Sequence, residues 1–286
     1  MNKFNIVAPI NKIPSTFKLF LQSIENQDYK EKKLFLIIDN NPTLKNELLE
    51  HFRDINFDYT IMENNGTSGP SATRNLAISH INDGFITFLD SDDMLGKNYL
   101  RKMSNFLEKK PNIKAVAASG TKFAIDVKQN LILRGKSNLI FKSGSMSEAQ
   151  VFLNEIGSIS GFTVSAKNKV LFDESMFFLE DYDFYLKNIA KGIQIFSNSE
   201  AEYFYFVGLG PKKYDRNRQK YACNKINENN RKISKNFFNN LLLYMQSNKL
   251  RLRHSDNKFR ASIMMLFIFL LSPSHSLRFF RRLFNV

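Results

Sequence analysis

A single cysteine, Cys223, occurs in 286 residues, so no intrachain disulfide can form. A lone thiol with no nearby His and Asn pattern gives no reason to expect a cysteine nucleophile. The chain enters a strand-like stretch at Phe4–Ile10 with no apolar signal core or cleavage site before it. Export is therefore not expected, and the cytosol is the expected compartment. Long apolar runs are missing too. Ile263–Leu271 has nine consecutive apolar residues, whereas crossing a bilayer takes about 20. Acids are scarce at one end only: residues 211–286 hold 17 Lys or Arg against Asp215, Glu228 and Asp256, while the first 210 residues hold 24 bases and 24 acids. The whole net charge of +14 thus sits in the last quarter of the chain, which marks both a boundary and a partner of negative charge. Internal repeats and low-complexity tracts are absent.

What is present is a 43% hydrophobic content, enough for one large domain with an appendage. The short apolar runs Phe4–Ile10 and Leu34–Asp39 suit buried parallel strands, each followed by turn chemistry. Between them Phe17, Phe20, Leu21 and Ile24 recur at helical spacing after Pro14-Ser15-Thr16. A third strand is expected near Phe57–Met62, a helix from Pro70 through Ile81, and a fourth strand at Phe85–Leu89, with a helix over Lys97–Lys109. This alternation predicts a parallel sheet with helices on its faces. Further on, Ala115–Ala118, Thr121–Ile125 and Phe162–Ala166 are expected to be extended. The polar stretch 126–147 is expected to form a loop or hairpin, and Asp181–Lys191 a helix. After Gly208-Leu209-Gly210-Pro211 the pattern turns helical and basic.

Asp90, Asp92 and Asp93 stand together where the fourth strand ends. Three carboxylates within four residues repel one another unless a cation or donor groups compensate. Two carboxylates one residue apart at a strand end point roughly the same way and can share a hard divalent cation. Ligands of open parallel sheets bind at that end of the strands. A turn with acids capping the next helix, Asp93 among them, is equally compatible with the residues alone. A second acidic run, Glu180-Asp181-Tyr182-Asp183, opens the Asp181–Lys191 helix, where negative charge also serves as a cap; Asp183 is expected to be solvated.

The run Phe88-Leu89-Asp90-Ser91-Asp92-Asp93 resembles the Asp-x-Asp signature of family 2 glycosyltransferases of the GT-A fold. Other pieces follow in that family's order: Val7-Ala8-Pro9-Ile10-Asn11, Ser23-Ile24-Glu25-Asn26-Gln27-Asp28-Tyr29, Ile37-Ile38-Asp39-Asn40-Asn41, Asn65-Gly66, and Gly69-Pro70-Ser71-Ala72-Thr73-Arg74-Asn75. Three positions depart from the pattern: Ile10 replaces an aromatic, Asn40 an Asp and Thr73 an Ala. The resemblance covers about residues 4 to 206 and implies an α/β GT-A (Rossmann-like) fold, a mostly parallel sheet flanked by helices. It implies a UDP-sugar donor and a divalent metal, Mn²⁺ or Mg²⁺. Pro9, Asn11, Asp39, Arg74, Asp90, Ser91 and Asp92 would contact the donor, with Asp39 accepting the uracil N3–H. Asp92 would hold the metal directly, and Asp90 would reach it or the donor's ribose or sugar. Glu180 and Asp181 would be the acceptor-side pair of an inverting transferase, Asp181 as the base and Glu180 holding the acceptor or orienting the loop. Ser158–Thr163 would pass beneath the donor sugar on Gly157 and Gly161, with Tyr203 and Tyr205 either edging the site or filling core.

The expected division is 1–210 for catalysis and 211–286 for a helical, basic C-terminal extension. Leu277-Arg278-Phe279-Phe280-Arg281-Arg282-Leu283-Phe284 interleaves arginines with bulky apolar groups, which suits an anionic membrane surface; a helix packed on the catalytic domain is the alternative. The expected partners are thus a nucleotide-sugar donor, a glycan or glycolipid acceptor and the inner face of a cell membrane, with no nucleic acid. Two other classes compete: a metal-dependent nucleotidyltransferase, which Pro9–Pro14 disfavours because it carries Lys12 but no Gly, and a non-catalytic basic membrane- or nucleic-acid-binding protein.

Overall fold

Residues that alternate in polarity on a pleated strand face opposite sides of the sheet, so strands covered by helices on both sides must be apolar throughout. The computed structural model shows this arrangement and describes residues 1–125, 131–136, 142–207, 215–230, 233–235 and 237–252, with Ile263 and Leu270. The first half comprises β1 (Phe4–Ile10), α1 (Phe17–Glu25), β2 (Lys32–Asp39), α2 (Leu44–His51), β3 (Asp58–Asn64), α3 (Pro70–His80), β4 (Phe85–Phe88), β5 (Met94–Leu95) and α4 (Tyr99–Glu108). The second comprises β6 (Ala115–Ile125), β7 (Leu131–Lys136), β8 (Gly144–Ser145), α5 (Glu148–Phe152), β9 (Phe162–Ser165), α6 (Glu180–Ala190), β10 (Ile195–Val207), α7 (Arg216–Asn229) and α8 (Phe237–Leu252).

Among the described residues ten strands form one sheet, ordered β3-β2-β1-β4-β9-β6-β10-β5, with β7 beside β6 and β8 beside β10. β1 runs parallel to β2 and β4, and β2 to β3. β9 is antiparallel to β4 and β6, while β10 is parallel to β6. The expected helix-flanked α/β sheet is present, parallel in its first half and mixed beyond. Along β2, Leu34, Leu36 and Ile38 enter one apolar cluster and Phe35 and Ile37 the other. One layer is completed by α1, α2 and α4, through Phe17, Phe20, Leu44, Leu48, Tyr99 and Met103. The other is completed by α3 and α6, through Ala77, Ile78, Tyr182, Phe184 and Leu186.

Several bounds differ from expectation. The helix expected from Lys97 begins at Tyr99, because Asn98 adopts the left-handed conformation (φ 59°). The two extended pieces after Ala115 are a single strand, and β7 pairs antiparallel with it as half of the expected hairpin; residues 126–130 and 137–141 lie outside the described residues. The basic C-terminal region is helical at α7 and α8. Ala222, Ile226 and Leu243 enter the same cluster as α3 and α6, and Leu242 and Met245 pack on Leu153. Packing therefore crosses residue 210. The interleaved segment 277–284, and all of 263–271 except Ile263 and Leu270, lie outside the described residues. Among the described residues no helix is long and apolar enough to cross a membrane.

Three rings connect the two acidic runs through the core. Phe88, two residues before Asp90, meets Phe172 and Phe184 edge-to-face at 5.3 and 5.5 Å, and those two stack at 4.1 Å. Phe184 lies one turn into the helix that Glu180 opens. Such pairs contribute about 0.5–1.5 kcal/mol each beyond area burial, and here they fix the strand end and the helix start against each other.

Candidate active site

The carboxyl ends of β1, β2 and β4 open into one cleft of about 320 Å³. Pro9, Asn11, Asp39, Arg74, Asp90, Ser91, Asp92 and Glu180 all line it, with Ile10, Lys12, Pro14 and Pro70. Asp181, next in the chain to Glu180, is not among the lining residues, but its carboxyl feels the charges of Glu180, Arg74 and Asp90.

Asp39 closes the β2 end. Its carboxylate accepts the Gly69 backbone N–H with both oxygens, at 3.1 and 2.9 Å, and the Asn64 amide at 3.2 Å. Asn64 also donates to Thr67 O at 2.8 Å and Thr73 Oγ1 at 3.3 Å, tying the loop before α3 to the strand ends. Gly69 stands at φ 123°, a backbone conformation glycine adopts without a Cβ penalty, and it places Pro70 at the first turn of α3.

Arg74, one turn into α3, is buried between the two acidic runs. Its Nη2 donates to Asp90 Oδ1 at 2.6 Å, its Nη1 lies 3.6 Å from Glu180, and its guanidinium covers the Phe172 ring at 5.4 Å. Burial works against this cation, but Asp90 and Glu180 more than offset it and raise its pKa above the ordinary value. One buried guanidinium thus serves both acidic sites, a role its bidentate geometry suits.

The strand end itself is anchored by a residue that sequence reasoning gave only a loose role. Ser160 Oγ accepts the Asp90 backbone N–H at 3.0 Å, and Gly161 N–H donates to Phe88 O at 2.9 Å. Gly161 sits at φ 77° with the Tyr203 ring where a Cβ would be, so Tyr203 is core beneath the loop. Tyr205 lies nearer the acids: burial, and then Asp93, Asp90 and Asp92, raise its hydroxyl pKa. Neither Asn64 nor Ser160 has a signal of its own in the sequence, since either residue type is ordinary in a loop.

Asp93 does not cap α4. It is fully buried and accepts the Phe206 N–H at 3.0 Å, while its second oxygen has no hydrogen-bond partner. Burial and then Asp90 and Asp92 hold its carboxyl well above the usual range. Donor oxygens of Asp90, Asp92 and Asp93 lie within 4.8 Å of one another. Hard oxygen ligands at this spacing fit a hard divalent cation. Asp90 and Asp92 face the cleft, and Asp93 supports them from behind.

Asp183 is likewise not solvated. It is buried and paired with Lys187 at 2.8 Å, one turn along α6; burial still raises its pKa despite that partner. Asp181 accepts the N–H of Tyr182 at 2.7 Å. Burial, and then the neighbouring Glu180, push its carboxyl up to about 7. Leu179, immediately before the pair, is left-handed (φ 58°), a costly conformation for a branched side chain and one that concentrates at functional sites.

With this geometry, the similarities to known proteins are specific. The sequence model of glycosyl transferase family 2 matches residues 6–171. The minor teichoic acid biosynthesis protein GgaA of Bacillus subtilis is 28% identical over 214 residues, covering 71% of this chain but 46% of that protein; the chain thus spans about half the length of this relative. The crystal structure of S. aureus TarS 1–349 in complex with UDP-GlcNAc superposes with a TM-score of 0.66 at 15% identity, over 88% of this chain and 73% of that one. GalNAc-T7 with UDP, GalNAc and Mn²⁺ superposes with a TM-score of 0.58 at 12% identity, over 78% and 48%. These two share the fold, which is GT-A. The family match spans more than half the chain and includes the β1, β2 and β4 ends with Asp39, Arg74 and the Asp90–Asp93 run, so the chain belongs to glycosyl transferase family 2.

Proposed function

We propose that the cleft transfers a sugar from a UDP-sugar to an acceptor hydroxyl with inversion at the anomeric carbon. The observation that carries this reading is the buried Arg74, held between Asp90 on the donor side and Glu180 on the acceptor side of one cleft. Asp39, oriented by Gly69 N–H, accepts the uracil N3–H, and Pro9 and Asn11 line the nucleoside wall. Asp92 and Asp90 would hold a divalent cation, Mn²⁺ or Mg²⁺, which would supply positive charge for the diphosphate leaving group. Asp181 takes the proton of the acceptor hydroxyl, whose oxygen forms the new bond to the anomeric carbon as the bond to the diphosphate oxygen breaks. A carboxyl with a pKa of about 7 is matched to that task at neutral pH. Glu180 holds or orients the acceptor.

The acceptor is a glycan, glycolipid or surface polymer. Its proposed class draws on the biosynthetic roles in the names of GgaA and of the S. aureus poly(ribitol-phosphate) β-N-acetylglucosaminyltransferase TarS. Residues 211–286, with 17 bases and three acids, hold the enzyme peripherally at the inner, anionic face of the membrane. Residues 1–210 carry the catalytic groups, with α7 and α8 packed against them.

The deciding measurement is UDP release, with Mn²⁺ or Mg²⁺, across a panel of nucleotide sugars. Release from at least one UDP-sugar, lost in Asp92→Asn with the fold retained by circular dichroism, is expected. Turnover of none, or a fully active Asp92→Asn, sinks the reading.

A further inference from the structure

The chain from Phe172 to Leu179 has no regular structure, yet it delivers Glu180 and Asp181 to the cleft. It is gripped from two sides. On the inner side Asn75, next to Arg74, accepts the Phe172 N–H at 2.8 Å and donates to Phe172 O at 3.0 Å and Glu174 at 2.9 Å. Ser71 donates to Met176 O at 3.3 Å. On the outer side stands α7. Lys225 pairs with Asp173 at 2.8 Å and donates to Ser175 Oγ, and the Tyr221 hydroxyl reaches the same Ser175 at 3.4 Å. Asp173 in turn accepts the Ser175 N–H and hydroxyl at 3.0 and 2.7 Å, so Lys225 locks a turn already closed on itself. Two turns before Lys225 on α7, Arg218 covers the Phe177 ring at 5.4 Å. Phe177 lies where a Cβ on Gly69 would touch it, and Gly69 N–H orients Asp39.

An irregular segment ending in a left-handed leucine holds one conformation only when its surroundings determine it. Two sets of contacts do so here, and the outer set comes from the basic C-terminal region. Lys225 does not line the cleft, so it acts on the reaction only through what it holds.

We infer that α7 is a positioning element for the acceptor side of the site, with Lys225 fixing segment 172–179 through Asp173 and Ser175 and so setting the placement of Glu180 and Asp181. This rests on the transferase reading for its effect on rate, but not for its effect on the segment. The last quarter of the chain therefore has a task inside the reaction as well as any task at a surface.

The test compares full-length Lys225→Met, which keeps the aliphatic stem, with Lys225→Arg, which keeps the charge. In Lys225→Met, amide hydrogen exchange across 172–183 is expected to accelerate severalfold while that of β1, β2 and β4 is unchanged. The transfer kcat is expected to fall about 10-fold or more, as displaced reacting groups do, while the Kd for UDP with Mn²⁺ stays within about twofold. Lys225→Arg restores both exchange and rate. Unchanged exchange in 172–183 overturns the inference whatever the enzyme turns over. So does an unaltered kcat, or a loss that Arg does not rescue and that UDP affinity shares. If no UDP-sugar is turned over by the wild type, the functional reading fails, and hydrogen exchange alone still decides whether Lys225 holds the segment.

Discussion

As the proposed base, Asp181 combines two demands that pull in opposite directions. A base must lose its proton near neutral pH, while partial burial beside Glu180 favours keeping it, and the outcome is a carboxyl at about 7. The transfer rate should therefore rise with pH through about 7 and level off above it, with Asp181→Asn flat and lower by a factor on the order of 10²–10⁴. Stability should move the other way. Because the folded pKa is raised above the ordinary carboxylate value, the contribution is fully present below that ordinary value and is lost as pH rises through about 7. Asp181→Asn should accordingly raise the Tm of the ligand-free protein at pH 8 relative to wild type, and much less at pH 5. An equal or lower Tm at pH 8 would argue against the burial that sets this pKa. The acids also mark how far single residues can be read from sequence. The position of Asp90 and Asp92 at the mouth of the cleft is legible because an apolar strand runs straight into them, although the residues alone suit a capping turn equally well. The placement of Asp93 and Asp183 is not, since their burial depends on Phe206 N–H and Lys187 being brought to them by the fold.

Among the elements, β1 and β2 are legible because burial on both faces makes them nearly continuous apolar runs, and α1 because one face repeats at helical spacing. The start of α4 is not, since Asn98 turns the chain in a left-handed conformation that no periodicity announces. The joint between β4 and the loop leading into β9 is another such feature, and a tightly constrained one. A Cβ on Gly161 would stand 2.3 Å from the Tyr203 ring at φ 77°. Gly161→Ala should cost about 1–3 kcal/mol or more, from strain and overpacking together. It should also weaken UDP binding by shifting the Asp90 N–H away from Ser160. Urea denaturation and a UDP titration would check the two effects; a variant as stable as wild type would mean the loop is free to move.

Taken whole, the molecule has a boundary in its charge that packing among the described residues crosses. The change at residue 210 is legible because acids nearly vanish after it. What composition does not show is that Ala222, Ile226 and Leu243 fill the layer beneath α3 and α6. A chain ended after residue 210 should expose that layer and lose Tm or solubility, measured by thermal melting and light scattering. A truncated protein that melts like the full chain would mean these helices are dispensable for the core.

Arg74 has a further consequence, one concerning ionic strength. Mobile ions screen exposed charges within about 10 Å at 0.1 M salt but do not reach a guanidinium that is 3% exposed. The electrostatic balance among Asp90, Glu180 and Arg74 should therefore be nearly the same in dilute buffer and in half-molar chloride. Any attachment made by the bases of residues 211–286 to anionic vesicles should weaken steeply over the same range. Adding salt should thus weaken any attachment to a charged surface far more than it weakens UDP binding. Co-sedimentation and a UDP titration over one salt series would read the two separately.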